Sequence, residues 1–160
     1  MAKNVKTNAM RMLDRAKIAY EAIEYEYDDS DLSGTTIAKN AGLCPDIVFK
    51  TLVAKGDKTG IIVMCIPVEK EVDLKKAASV SGNKKVEMLH VKDLLANTGY
   101  IRGGCSPVGM KKSYPTYIDI SSVNHEKITV SEGVKGCQLL VNAKELTEYL
   151  RATVDSITTE

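Results

Sequence analysis

A chain of 160 residues, 44% hydrophobic and 27% charged, has the composition of one globular domain that buries a core without staples. Its net charge of +1 excludes nucleic-acid binding by bulk electrostatics, so an RNA partner requires a local basic patch or a second protein. The longest apolar run, Ile61 to Val68, falls far short of a membrane span, and the absence of Trp with a single Phe excludes an RNA-recognition-motif stacking platform.

Met12, Leu13, Ala16, Ala19, Tyr20 and Ile23 recur at helical spacing and predict an amphipathic helix over 8–23. IEYEYD then alternates, with Ile23, Tyr25 and Tyr27 on one side, as a half-buried strand does. Ser33 is placed to cap a short helix that ends near Gly42, and Pro45 to start another turn. VFKTLVAK and IIVMCI are β-rich runs separated by GDKTG, the pattern of a hairpin. A helix over Asp73–Val80 is stopped by Gly82, VEML is a short strand, and a helix over Val91–Asn97 is stopped by Gly99.

YIRGGCSPVGMKKSY (100–114) follows. Its glycines allow positive φ or close backbone approach, while Pro107 fixes a dihedral and withdraws an amide. Strand-like composition on both sides predicts a loop that joins two strands, longer than a tight hairpin needs, and such excess length points to function. PTYIDI, KITVS and CQLLV are three further strands, and Asn142 with Glu145 resembles a capping box for a final helix through about Ser156. No repeat, low-complexity tract or linker interrupts residues 1–160, so one domain is expected. Hairpins outnumber regular βαβ units, which favours an α+β fold around a mixed sheet or barrel.

Four cysteines, Cys44, Cys65, Cys105 and Cys137, form no CxxC pair, and no signal-peptide pattern opens the chain. Reduced thiols and a cytoplasmic location are expected. His90 and His125 are too few and too isolated for a His-rich metal site.

Each candidate for chemistry has an ordinary reading beside the functional one. On a strand, Lys50 points the same way as Val48 and Leu52. It is either an edge lysine whose stem covers apolar surface or a cation in a partly dry pocket, aimed at a phosphate or carbonyl oxygen. Tyr27 reads as a core tyrosine with a satisfied hydroxyl. Cys105, among glycines and near lysines, is a tempting nucleophile, but no histidine lies in a partner motif, and a small packing side chain is the better reading. The run VSEGVKG (130–136) is a hairpin turn, or a site built from Ser131 and backbone amides.

In combination these words are specific. Phe49-Lys50-Thr51-Leu52, then LKKAA and KKVEM, then Gly103-Gly104-Cys105-Ser106-Pro107 with Gly109, then VSEGVKG ending in Gly136, run in that order over 25–150. The order resembles the YbaK family of free-standing Cys-tRNA(Pro) deacylases, relatives of the editing domains of some prolyl-tRNA synthetases. The resemblance implies a mixed α/β (α+β) domain whose mostly antiparallel, barrel-like sheet is flanked by helices. It makes Lys50 the residue tied to activity. It makes the Gly103–Pro107 loop a wall of the aminoacyl pocket, with Tyr27, Phe49, Thr51, Ser131 and Gly136 as further binding residues. Family members often carry an aliphatic residue where this chain has Cys105, which argues against an enzyme nucleophile. Some carry an acidic residue after the second glycine turn, where this chain has Gln138.

The implied chemistry uses no cofactor and no metal. The thiol of the attached cysteine cuts its own ester, while amides around Gly103 and Gly104 face the carbonyl oxygen and Lys50 holds the terminal adenosine or neutralises developing charge. The implied partners are the cysteine-charged acceptor end of tRNA(Pro), and prolyl-tRNA synthetase. Two alternatives stay open at this level: an Ala-tRNA(Pro) deacylase that uses water, and a non-catalytic module that binds a nucleotide or an aminoacylated RNA end. A thiol-redox role has no paired cysteines to support it.

Overall fold

The computed structural model describes residues 6–27, 30, 34–101 and 104–159; the expected Ser33 cap and the Gly103 position lie outside them. Among the described residues five helices, α1 (Asn8–Arg15), α2 (Gly34–Ala41), α3 (Leu74–Ser81), α4 (Val91–Thr98) and α5 (Ala143–Leu150), pack on two sheets. The smaller sheet has the order β1 (Tyr20–Glu24), β7 (Cys137–Asn142), β6 (Lys127–Ser131), all antiparallel. The larger has the order β4 (Val86–Met88), β2 (Phe49–Gly56), β3 (Gly60–Pro67), β5 (Thr116–Asp119), β8 (Thr153–Asp155). Here β2 pairs antiparallel with β3 and β4, whereas β3–β5 and β5–β8 are parallel. The fold is α+β with a mixed, mostly antiparallel strand set.

The strands do not close into a barrel among the described residues. The sheets meet at one parallel bridge, Val48 to Thr129. Val48 has little backbone left for a longer ladder: its amide donates to Pro45 O across the Pro45–Ile47 3-10 turn, and its carbonyl accepts from Val68 N.

The first helix is shorter than the sequence predicts. Lys17 adopts φ 61°, its amide donates to Asp14 O, and the Ile18 amide reaches back to Leu13 O. That is a Schellman-type stop without glycine, and it turns Ile18 into the core beside the fully buried Leu13. Tyr20 to Glu24 then extend as β1, three residues before the expected strand start. The last helix ends early for the same reason. Arg151 takes φ 54°, Ala152 N donates to Thr147 O, and the β-branched Thr153 and Val154 continue as β8.

The hairpin is where the sequence places it, and a distant side chain completes its turn. Asn83, buried at the end of α3, accepts from the amides of Lys58 (2.8 Å) and Thr59 (3.0 Å) and donates to Thr59 Oγ1 and Ser81 Oγ. Gly56 makes room for it, since a Cβ there would fall 2.1 Å from Asn83 Nδ2. Asp73 caps α3, accepting from Lys75 N and Lys76 N, and Gly82 closes it in the left-handed region. The main core lies against α1 and α5 and holds Phe49, Cys65, Val108, Ile118, Ile128 and Leu139. A second cluster packs under α3 around Ile62, Met64 and Ile66, and a third joins α2's Ala38 to Val48 and Val68.

Candidate active site

The glycine-rich segment leaves α4 rather than a strand. Gly99 ends that helix at φ 85°, and the Thr98 hydroxyl donates to Leu94 O while accepting from Tyr100 N. Tyr100 is therefore the first residue of the loop. Its hydroxyl donates to Val108 O at 2.5 Å, closing the loop across its mouth. Inside, Ser106 Oγ accepts from Val108 N at 3.2 Å. Beyond, Tyr114 donates to Asn97 O, and Lys111 N to Thr98 O.

The Tyr100 ring also joins this loop to the 131–136 turn. A Cβ on Gly109 would lie 2.8 Å from its hydroxyl, and one on Gly133 2.8 Å from its Cε1. Both glycines have positive φ, 83° and 109°. The chain thus removes side chains on both sides of one aromatic ring. Burial, aided by the nearby Cys105, pushes the Tyr100 phenol up to about 12, so it stays a neutral donor. Sequence reasoning treats Tyr100 only as a strand-like flank; the signal was a lone tyrosine after a helix-ending glycine, with glycines waiting elsewhere in the chain.

A second contact binds the same two segments. A Cβ on Gly104 would sit 3.1 Å from Val134 Cα and 3.3 Å from Gly133 O. Gly104 is thus needed for close backbone approach. Its amide, however, donates to Ile101 O at 3.0 Å, which corrects the expectation that this N–H faces a substrate carbonyl. The turn itself is set by Ser131, buried, whose Oγ accepts from Gly133 N. The Thr7 hydroxyl pins the start of α1 onto Glu132 O. At the far end of the turn, Gly136 O accepts from Tyr25 N, and a Cβ on Gly136 would lie 3.2 Å from the Tyr27 ring. Tyr27 is 48% exposed, so it is a surface tyrosine over Gly136 rather than a core one.

Strand β2 divides the remaining candidates between its faces. Phe49 is buried in the main core, and Thr51 lies on that face, its hydroxyl 3.9 Å from Cys65 Sγ. Cys105 lies near Cys65, and its proximity adds slightly to the burial that holds the Cys65 thiol protonated. Pro107 is buried, and Ser106 fully so. Strand alternation puts Lys50 on the other face, between Val48, which packs against α2, and Leu52, which packs under α3; the fully buried Ile66 stands opposite it in register. Lys50 is half-buried and makes no ion pair among the described residues. The side chains of Lys50 and Thr51 therefore do not line one wall together. Gln138 is buried and accepts from Thr129 Oγ1 at 3.1 Å, bracing the strand pair next to the inter-sheet bridge.

Chemically, the arrangement offers a cation on an apolar floor and two glycine segments locked by an aromatic ring. It offers no activated thiol. Burial pushes Cys105 up to about 12, and Cys65 likewise, so both are neutral thiols near pH 7. His90 stands exposed before α4, and His125 lines a separate cleft with Lys144 and Glu148. Cys105→Ala is accordingly expected to keep catalytic activity within about threefold, a core-scale change in volume and not in chemistry. In parallel, iodoacetamide at pH 8 should alkylate the exposed Cys44 well before Cys65, Cys105 or Cys137, as peptide mass analysis will read.

Residues 34–149 match the aminoacyl-tRNA editing domain. Over 155 residues the chain is 46% identical to the "Putative Cys-tRNA(Pro)/Cys-tRNA(Cys) deacylase EbsC" of Enterococcus faecalis, covering 97% of this chain and 94% of that protein. It is 24% identical over 124 residues to the uncharacterized protein YwhH of Bacillus subtilis, covering 78% of each. The fold superimposes on the crystal structure of "a putative trans-editing enzyme for prolyl tRNA synthetase" with a TM-score of 0.82 at 21% identity, over 98% of this chain and 99% of that one. With the family matched across most of its length and a near full-length relative at this identity, the chain belongs to the aminoacyl-tRNA editing domain family.

Proposed function

We propose that the protein is a trans-acting aminoacyl-tRNA editing deacylase that removes cysteine from Cys-tRNA(Pro), and from Cys-tRNA(Cys). All 160 residues act in this reading as one editing domain, in the cytoplasm and beside prolyl-tRNA synthetase. Its relation to a deacylase of that description across nearly the whole chain supports the substrate class. The observation that carries the mechanism is Cys105: the thiol of the glycine loop is half-buried and desolvation pushes it up to about 12, a poor nucleophile near pH 7, which supports taking the nucleophile from the substrate.

The substrate supplies one. A free cysteine thiol, with a pKa near ~8.5, is already a few per cent thiolate at neutral pH. Its sulfur attacks the ester carbonyl carbon, the bond to the ribose oxygen breaks, and that oxygen takes up the proton released by the thiol. The products are an intact tRNA end and a cysteine thiolactone, which water then opens. Positioning is the protein's contribution, worth roughly 7 kcal/mol or more in favourable intramolecular cases. The locked pair of segments around Tyr100, with Gly104, Ser106, Pro107 and Ser131, forms the cradle, and Tyr27 over Gly136 lies at its edge. With the Gly104 amide engaged by Ile101 O, this reading gives Lys50 the stabilisation of developing charge or, alternatively, the grip on the terminal adenosine end.

The test is the purified chain with Cys-, Ala- and Ser-charged tRNA(Pro), the released product identified by mass. Cysteine thiolactone or cysteine from the first alone is expected, with a several-fold rise when prolyl-tRNA synthetase is added at physiological salt. Release of alanine would select the water-based reaction, and binding of tRNA without any turnover would select the non-catalytic module.

A further inference from the structure

The segment that leaves the glycine loop forms one wall of a cleft of about 280 Å³; the other wall comes from Met12 of α1 and the end of α5. Two cations line it, Lys112 from the loop and Arg151 from the helix end, and no carboxylate among the described residues does. Neither cation takes part in an ion pair among the described residues. Neighbouring Lys111 is committed elsewhere, its stem along Gly99 and its ammonium on Ala96 O. Tyr114 and Tyr149 supply aromatic surface in the same cleft.

Arg151 carries the second observation. It holds φ 54° at the end of α5, a conformation glycine adopts without the penalty of a Cβ. A cation there does complement the helix macrodipole, but that alone does not call for Lys112 across the cleft or for the exclusion of carboxylates. For a chain of net charge +1 a local basic patch is one of the two ways to hold RNA, and this cleft is continuous with the loop through Pro107 and Gly109.

We infer that the cleft binds backbone phosphates of the RNA strand whose 3′ end enters the glycine-loop site, with Lys112 and Arg151 as the contacting cations. The inference rests on the editing reading for its occupant. Terminal adenosine and ester lie at the loop, and the nucleotides just upstream lie across the cleft.

The experiment measures binding of an uncharged tRNA to the full chain by fluorescence anisotropy between 50 and 200 mM salt, concentrations over which phosphate contacts weaken steeply, for the natural protein, Lys112→Gln, Arg151→Gly and the double variant. Each substitution is expected to weaken binding roughly threefold to tenfold at the low-salt end and to flatten the log Kd against log salt slope by about 1. Arg151→Gly should also raise the melting temperature by roughly 2–4 °C, because glycine relieves the left-handed strain, so its loss of RNA cannot be ascribed to unfolding. In kinetics, the ratio of kcat/KM for Cys-tRNA to that for 3′-cysteinyl-adenosine should fall about tenfold in the double variant. An unchanged salt slope, or equal losses on both substrates, overturns the inference. Because uncharged tRNA reports binding without turnover, a shifted slope in a chain that deacylates nothing would retain the cleft and remove the editing reading; deacylation with an unshifted slope would do the reverse.

Discussion

Lys50→Ala is expected to lower kcat/KM for Cys-tRNA(Pro) deacylation by about 100-fold or more, the scale on which removal of one preorganised electrostatic partner acts. The side chain lies on the face of β2 that carries Val48 and Leu52, half-buried, with no carboxylate pairing it among the described residues. A half-buried cation over apolar neighbours is available to an incoming phosphate or carbonyl oxygen, which is the role the editing reading gives it. The structural loss is small by comparison: the alanine forfeits only a methylene stem lying over apolar neighbours. The melting temperature should therefore move by no more than about 2–4 °C, equivalent to some 1 kcal/mol in a domain of this size. Lys50→Met, which retains the stem, separates the two contributions. It should regain the stability and none of the activity. A Lys50→Ala protein that deacylates within threefold of the natural one would remove Lys50 from the chemistry and leave it as an edge lysine.

The substrate's thiol should matter more still. An S-methylated cysteinyl ester on the same tRNA is expected to be cleaved at least ~10⁴-fold more slowly than the unmodified ester. Methylation leaves the ester, the RNA and most of the side-chain volume intact but deletes the attacking atom, and well-oriented intramolecular nucleophiles reach effective molarities of 10⁵ M and above. Seryl esters should be nearly as inert, since the hydroxyl is a far weaker nucleophile than a thiol at neutral pH, although shape alone discriminates such isosteres poorly. Equal rates for the methylated and natural esters would require water or an enzyme group as nucleophile. The neutral Cys105 would then have to be reconsidered together with the remainder of the loop.

The elements that could be read from the sequence are those whose stops are local. Asp73 and Gly82 bracket α3, Gly99 closes α4, and the two glycines of GDKTG mark the hairpin, and each does in space what its residue type does in general. The two misplaced helix ends share one cause. Lys17 and Arg151 stop α1 and α5 in the left-handed region with side chains that ordinarily avoid it, and no neighbouring glycine or proline announces either stop. Tyr20 and Ile23, three positions apart, share a helix face but fall on opposite faces of a strand, so the local pattern favours helix and it is pairing with β7 that makes the segment a strand. The split of the strands into two sheets is similarly a matter of where the Val48 backbone groups go, which depends on Pro45 and Val68 together.

For the candidate site, the glycine words were legible but their reasons were not. Gly109 and Gly133 stand 24 positions apart and take meaning only from the tyrosine between them in space. Gly104 suggested a donor and turned out to be a point of backbone contact, because hydrogen-bond engagement by Ile101 cannot be seen in composition. Lys50 kept the apolar neighbours that strand alternation assigns to it, while the same alternation turns it away from Thr51.

The aromatic wedge between the two glycine segments has a kinetic implication. Since one ring packs against both, displacement of either segment would break its contact with the ring or carry the other along, which in the editing reading would couple the two walls of the site. In that reading, entry of the charged RNA end and escape of the severed amino acid would depend on the same coupled pair.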